Sequence, residues 1–342
     1  MKRLPPPGRR AAAAGWIAAV PVAGIAAARL ARFDRHPLLS MANAGTPFVY
    51  LPAYGALALG VLSRRKALTA VSASVAAAHL VWTRAELRSR RRDVPDGPGT
   101  RLRVVSSNVR SHSPDSTPLG LELATLGADV LLLQELSAEH LIMLKATGAF
   151  DDFPYSYVDT RPGSFGAGIW SKHPLADAET WEPGGLPMAR ATVEVGGTPV
   201  RVFNVHARAA MRSRWIPVFK AQMRDLRDAV RACDGPVIMA GDFNATYGHQ
   251  PFRDVLAAGL RDAHVDAGRG LIATTWPRGG RVIPPLFRID HVLVSPQIGV
   301  LDACEGVGRS SDHRPVLADL VIPVAPSTTG ATAGPASSPT GS

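Results

Sequence analysis

The 342-residue chain has room for one large domain or two modest ones, and its 46% hydrophobic content is enough for a sizeable core. A net charge of +10 fits an anionic partner: nucleic acid, an anionic membrane surface or an acidic substrate. The two cysteines, Cys233 and Cys304, lie far apart and exclude a disulfide framework or a cysteine metal motif, leaving one bridge or, by default, two buried free thiols.

From the N-terminus, basic clusters flank apolar segments: Lys2-Arg3, Arg9-Arg10, Arg64-Arg65-Lys66 and Arg88 to Arg92. That placement favours a membrane anchor over a nucleic-acid groove. Ala11 to Ala28 carries no charge, as in a signal peptide or a transmembrane helix. Pro37 to Ser63 and Ala67 to Thr83 are likewise uncharged. Three spans of roughly 16 to 21 residues, at about 11–31, 45–63 and 67–83, predict three membrane helices. The plain alternative is a helical soluble subdomain, because alanine is only weakly hydrophobic. Charges around the first helix dominate orientation, and an odd number of spans then puts everything after residue 84 outside the cytoplasm. Arg29, Arg32, Arg35 and the stretch 84–92 argue the other way. The expected location is the cell membrane, multi-pass, with an extracytoplasmic domain.

A polar, Pro/Gly-rich linker is expected over residues 85–100, and an uncharged Ser/Thr/Pro/Gly/Ala tail over 325–342 that has nothing to pack and should be disordered. Between them, 101–324 is long enough for two layers of sheet with covering helices. Strands are predicted at Leu102–Ser106, Val130–Leu133, Tyr155–Val158, Ala167–Trp170, Ala191–Val195, Val200–Asn204, Val237–Ala240, His291–Val294 and Val316–Ile322. Helices are predicted at Gly120–Leu126, Ala138–Ala146 and near Met211–Ala232.

Polar residues recur where these strands end: Asn108, Glu135, Asn204 and His206, Asp242 and Asn244, Asp290, Asp312 and His313. One such strand end is ordinary turn chemistry; an ordered series suggests one shared edge. In Gly241-Asp242-Phe243-Asn244 the two polar side chains would point the same way on an extended backbone. A hard cation such as Mg²⁺ takes one or two carboxylates, which Glu135 and Asp312 can supply, with Asn108 adding a carboxamide to metal or phosphate. His313 can take a proton from water, with Asp290 as the partner that orients it. Asp242 and Asn244 would position that water or stabilise phosphate, and His206 can donate to a phosphoryl oxygen or leaving group. There is no Gly-x-Ser-x-Gly elbow for carboxylic esters, whereas metal, in-line water and charge neutralisation suit a phosphoester or pyrophosphate. Arg161, Arg190 and Gly166-Ala167-Gly168 are candidate phosphate contacts, more often found as solvated side chains and a turn.

The ordered set Ser107-Asn108-Val109-Arg110, Leu133-Gln134-Glu135, Gly166 to Ser171, Asn204-Val205-His206, Gly241 to Asn244, Arg288-Ile289-Asp290-His291 and Ser311 to Pro315 resembles the endonuclease/exonuclease/phosphatase superfamily, the deoxyribonuclease I-like fold. The resemblance implies a four-layered α/β sandwich, here preceded by the three transmembrane helices. It implies Mg²⁺ or Mn²⁺ held chiefly by Glu135 beside Asn108, catalytic His206, Asp242, Asn244, Asp290 and His313, and phosphate contacts from Asn108, Asn244 and His206. Arg110 stands where some nuclease members carry an acidic residue, which weakens a second-metal site. The architecture looks like a bacterial membrane-bound branch associated with glycopeptide (vancomycin or teicoplanin) resistance. The expected function is a membrane-anchored phosphohydrolase acting on a lipid-linked phosphate or pyrophosphate such as undecaprenyl pyrophosphate. A metal-dependent nuclease and a catalytically inactive membrane-bound interaction module are the alternatives.

Overall fold

A computed structural model describes residues 8–32, 35–94, 97–279 and 284–324, so the expected tail at 325–342 lies outside the described residues. The N-terminal part is helical: α1 (Arg9–Leu30), α2 (Pro37–Ala44), α3 (Thr46–Val49), α4 (Pro52–Leu62) and α5 (Lys66–Leu87). The expectation of three transmembrane helices is corrected here. Among the described residues, only α1 is by itself long and apolar enough to cross a membrane. The second expected span, about 45–63, is made of two short helices, Thr46–Val49 and Pro52–Leu62, and passes as apolar and long enough only together with Pro37–Ala44, from which it is bent by 84° at Gly45. Prolines at the starts of α2, α3 and α4 offer no N–H to a preceding turn, so the segment restarts rather than continues. The third, α5, turns Ser72, His79 and Thr83 with Leu68 and Val75 toward its neighbours, a face too polar for an apolar span. It also runs through Arg84 and Glu86 to Leu87, past the expected start of the linker. The chain that follows is tied down rather than free. Ser89 Oγ donates to the Val265 carbonyl at 3.0 Å, and Arg92 N donates to Asp266 O at 2.9 Å.

The rest of the chain runs β1 (Gly99–Asn108), α6 (Thr117–Leu123), β2 (Val130–Gln134), α7 (Ala138–Lys145), β3 (Tyr155–Asp159), β4 (Ala167–Ser171) and β5 (Leu175–Trp181). It continues through β6 (Met188–Val195), β7 (Thr198–His206), α8 (Ile216–Arg231), β8 (Val237–Asp242), α9 (Gln250–Leu256) and β9 (Arg261–Asp262). It closes with α10 (Ala263–Asp266), β10 (Asp290–Val294), β11 (Gly299–Glu305) and β12 (Val316–Pro323). Two six-stranded mixed sheets result, β11-β12-β1-β2-β4-β3 and β5-β6-β7-β8-β10-β9.

Side-chain alternation explains the layers. Leu102, Val104, Val130 and Leu132 of the first sheet meet Val200, Val202, Ile238, Ala240 and Val292 of the second in one dry core. The opposite parity, Val105, Leu131 and Leu133, packs under α6 and α7. Val237, Met239 and Leu293 pack under α8 and α9, with α8 presenting Ile216, Phe219, Met223, Leu226 and Val230 at helical spacing. Helix, sheet, sheet and helix make the four layers.

Candidate active site

The inward parity carries straight into the site. Asn108, Gln134, Asn204, Asp242 and Asp290 each share the parity of the inter-sheet core residues of their own strand, so each projects between the sheets where its strand ends. Register completes the grouping: Asn108 pairs with Gln134, His206 with Asp242, and Asp242 with Asp290.

At this edge Asn108 Nδ2 donates to both Glu135 Oε1 and Asp242 Oδ2 at 3.1 Å. Glu135 follows β2 with φ +59°, an unusual conformation for a non-glycine residue and one that clusters at functional sites. Its other oxygen accepts from Ser111 N at 2.8 Å and Ser111 Oγ at 2.6 Å. Burial alone would raise the Glu135 carboxyl, but His206 and the donors from Ser111 and Asn108 outweigh it and hold it at about 2. It is an ionised carboxylate at neutral pH. His206 Nε2 lies 3.5 Å from Glu135 and 3.8 Å from Asp242. Its Nδ1 is 2.9 Å from the Ser164 carbonyl, an acceptor only, so Nδ1 carries a proton.

Asp242 and Asn244 do meet, by a turn rather than by extension. The strand stops at Asp242, Asn244 sits at φ +48°, and its backbone N and side-chain Nδ2 donate to Asp242 at 2.8 and 3.1 Å. Gly241, at φ +143°, passes so close to β7 that a Cβ would lie 2.0 Å from the Val205 carbonyl oxygen. His313 Nδ1 donates to Asp290 at 3.0 and 3.1 Å, and its Nε2 lies 3.8 Å from Asp242. Burial opposes charge on His313, yet Asp290 and Asp242 overcome it and raise its pKa to about 10. Asp242, fully buried, is pushed up to about 6 by burial, against the pull of His313.

Asp312 takes a different place from its neighbour. Its carboxylate accepts from Trp276 Nε1 at 3.3 Å and pairs with Arg110 at 3.8 Å. The side chains whose ligand atoms converge within 4.8 Å are instead Asp242, Asp290 and His313. That trio could hold a cation, but a protonated imidazole already sits in it, and like charges repel. Glu135, held ionised outside that trio, also faces the cleft.

Glu135, His206, Asp242, Asn244 and His313 line a cleft of about 340 Å³ together with Phe165, Met211, Trp215, Arg208 and Arg212. Arg208 stacks over Trp215 at 4.1 Å. Arg161 and Arg190 are not at the cleft; they pair with Asp159 and Glu179. Gly166, between a turn and β4, is packed against backbone: a Cβ there would lie 1.8 Å from the Leu136 carbonyl oxygen. Cys233 and Cys304 are free and only half-buried.

Several supports went unread in the sequence. Gln134 donates to Asn204 Oδ1 at 2.7 Å, and Asn204 donates to the Leu133 and Gly168 carbonyls at 2.9 Å, tying the two sheets under the site. Thr275 Oγ1 accepts from the Asp290 backbone at 3.2 Å, and Ser311 Oγ donates to the Asn108 carbonyl at 2.7 Å. The inward parity of Gln134 was the available signal; Ser111, Thr275 and Ser311 carried none.

Residues 105–313 match the Endonuclease/Exonuclease/phosphatase family. No curated protein matches the chain. Among solved structures it is similar to D. rerio TDP2 in complex with single strand DNA product, at 19% identity and TM-score 0.55, over 64% of this chain and 98% of that one. The endonuclease/exonuclease/phosphatase from Beutenbergia cavernae DSM 12333 aligns at 21% identity and TM-score 0.52, over 66% and 72%. That from Bacteroides vulgatus aligns at 18% and 0.54, over 65% and 99%. At these identities the likeness is one of fold.

Proposed function

From the chain's membership of the endonuclease/exonuclease/phosphatase family, we propose that it is a membrane-anchored, divalent-metal-dependent phosphohydrolase acting on a lipid-linked phosphate or pyrophosphate such as undecaprenyl pyrophosphate. The observation that carries the chemistry is the buried Asp290–His313–Asp242 series beside an ionised Glu135. Members of this family are generally hydrolases of phosphoester bonds, and the ionised Glu135 carboxylate at this cleft fits a divalent cation. Glu135, with Asn108 beside it, would hold Mg²⁺ or Mn²⁺; Asp312, engaged with Arg110 and Trp276, is the more distant candidate. Such a cation supplies charge neutralisation at the phosphoryl group when bound.

The protein's own groups divide the proton work. His313, raised to about 10, keeps its proton at neutral pH and donates to a phosphoryl oxygen. Asp290 orients it through Nδ1. Asp242, raised to about 6, is deprotonated at neutral pH and accepts the proton of the attacking water, held in place by Asn108 and Asn244. This reverses the roles expected of His313 and Asp242 from sequence. His206, protonated on Nδ1, faces the leaving group across the cleft with Nε2.

Support for a lipid substrate comes from α1, which leaves Ile17, Val20 and Leu30 exposed, and from a cleft lining that mixes Phe165, Met211 and Trp215 with two arginines. Apolar groups beside guanidinium suit an amphiphile with a phosphorylated head. A nuclease is the second reading, favoured by the Arg208–Trp215 stack, which can also seat a base, and by the D. rerio TDP2 structure with its DNA product.

The test is phosphate release by the detergent-solubilised full chain with Mg²⁺, from undecaprenyl pyrophosphate and, in parallel, nicking of plasmid DNA. Glu135→Ala and His313→Ala serve as blanks. Release from the lipid with intact plasmid supports the first reading. Nicking without lipid turnover, abolished by His313→Ala, supports the second.

A further inference from the structure

His313 reaches its partners from a loop, whereas they stand on strands. Asp242 ends β8 and Asp290 begins β10, two strands paired in one sheet. His313 lies on the segment 306–315 between β11 and β12, where no strand pairing fixes the backbone. Its distances of 3.0 Å to Asp290 and 3.8 Å to Asp242 therefore depend on what holds that segment.

Glu122 of α6 grips its first turn. The Glu122 side chain is buried, its Oε1 accepts from Val307 N at 2.6 Å and Gly308 N at 3.2 Å, and its Oε2 accepts from Arg309 N at 2.9 Å. Three successive backbone N–H groups thus converge on one carboxylate, and such charge-assisted bonds are roughly twice as strong as neutral ones. Helix formation does not ask for this residue: it stands in the last turn of α6, where the carbonyl end of a helix disfavours an anion.

The gripped turn abuts His313. Gly308, at φ +73°, packs so closely that a Cβ would lie 2.0 Å from the His313 carbonyl oxygen. The Gly308 carbonyl accepts from Ser311 N at 3.2 Å, and Ser311 Oγ accepts from His313 N at 3.1 Å. Ser311 Oγ in turn donates to the Asn108 carbonyl at 2.7 Å, so the same links run on to the end of β1. Glu122 itself does not line the cleft.

We propose that Glu122 is a positioning residue for His313: by holding the 307–309 turn it sets the imidazole between Asp290 and Asp242. This role rests on the reading of His313 as the proton donor of phosphoester hydrolysis.

A double-mutant cycle on the detergent-solubilised full chain with Mg²⁺ tests it, with bis(p-nitrophenyl) phosphate as substrate and thermal unfolding followed alongside. Glu122→Gln, which keeps one acceptor oxygen, should lower kcat roughly tenfold and Glu122→Ala about 10²-fold, with KM within about twofold of native. In a His313→Ala background neither should lower kcat further, while the unfolding midpoint falls as it does with His313 present. A kcat loss of equal size in both backgrounds, or a lower midpoint with native kcat, assigns Glu122 a structural role alone and overturns the proposal. Native turnover in His313→Ala overturns the catalytic reading of His313 and the proposal with it. Hydrogen exchange, read by mass spectrometry over 306–314, gives an answer without turnover and decides alone if the native chain leaves this ester intact. Glu122→Gln should speed exchange at 311–313 as well as at 307–309; faster exchange at 307–309 only overturns the proposal.

Discussion

Asp242 and His313 lie 3.8 Å apart, and their opposite protonation states set the pH limits of the chemistry. The rate should rise as Asp242 loses its proton near pH 6 and fall as His313 loses its own near 10, giving a bell-shaped profile of kcat/KM. A higher Mg²⁺ concentration should carry the lower limb to more acidic pH, because a nearby positive charge favours the carboxylate. Asp242→Asn should remove the lower limb and lower kcat by about 10²–10⁴-fold. Glu135→Gln should instead raise the Mg²⁺ concentration needed for half activity, which a metal titration reads directly. Sequence order brought these residues to notice, but their protonation could not be read there. Histidine is a base by default at neutral pH, and only two buried carboxylates at close range turn His313 into a proton donor.

At the scale of elements, legibility followed burial. The runs Val130–Gln134 and Val237–Asp242 are buried throughout, and their β-branched and aliphatic residues announced them. Three strands escaped notice, all at sheet edges: Arg261–Asp262 is only two residues long, and Leu175–Trp181 and Gly299–Glu305 are rich in Ala, Asp and Glu, where half-exposure removes the apolar pattern. The helices before residue 88 misled for the opposite reason. Alanine-rich, uncharged stretches look alike whether they face lipid or each other, and α5 spends its polar residues on its neighbours. A glycine tests the contact between α2 and the catalytic domain. A Cβ on Gly248 would lie 1.6 Å from the Asn43 carbonyl oxygen, so Gly248→Ala should cost about 1–3 kcal/mol, visible as a lower midpoint of thermal unfolding.

Over the whole molecule, the same contact makes stability depend on pH. His249 Nδ1 accepts from Thr246 N at 3.1 Å and therefore carries no proton, while Nε2 reaches Ser40 on α2 at 3.2 Å. Burial pushes its pKa down from 6.5 to about 4. The unfolded chain takes up a proton first, so stability is full above 6.5 and falls as pH drops toward 4, by about 3 kcal/mol. Thermal unfolding between pH 7 and 4.5 should show this slope in the native chain and a flatter one in His249→Gln. Glu86 of α5 pairs with the buried Arg288 at 3.2 Å, two residues before Asp290 in sequence. Glu86→Gln should destabilise the full chain by about 2 kcal/mol, read by the same unfolding measurement.

That ion pair also bears on how portable the enzyme is. Asp262, 3.5 Å away, would be the remaining counter-charge for Arg288 in a form cut free of its helices, and Gly270 O would be its neutral acceptor. Thr246 would lose the Ala44 carbonyl, and Gly248 the backbone it was shaped to admit. A version without its N-terminal helices is therefore a redesign of positions 246, 248 and 288 rather than a shorter chain, and joining this domain to different helices would need the same three adjustments.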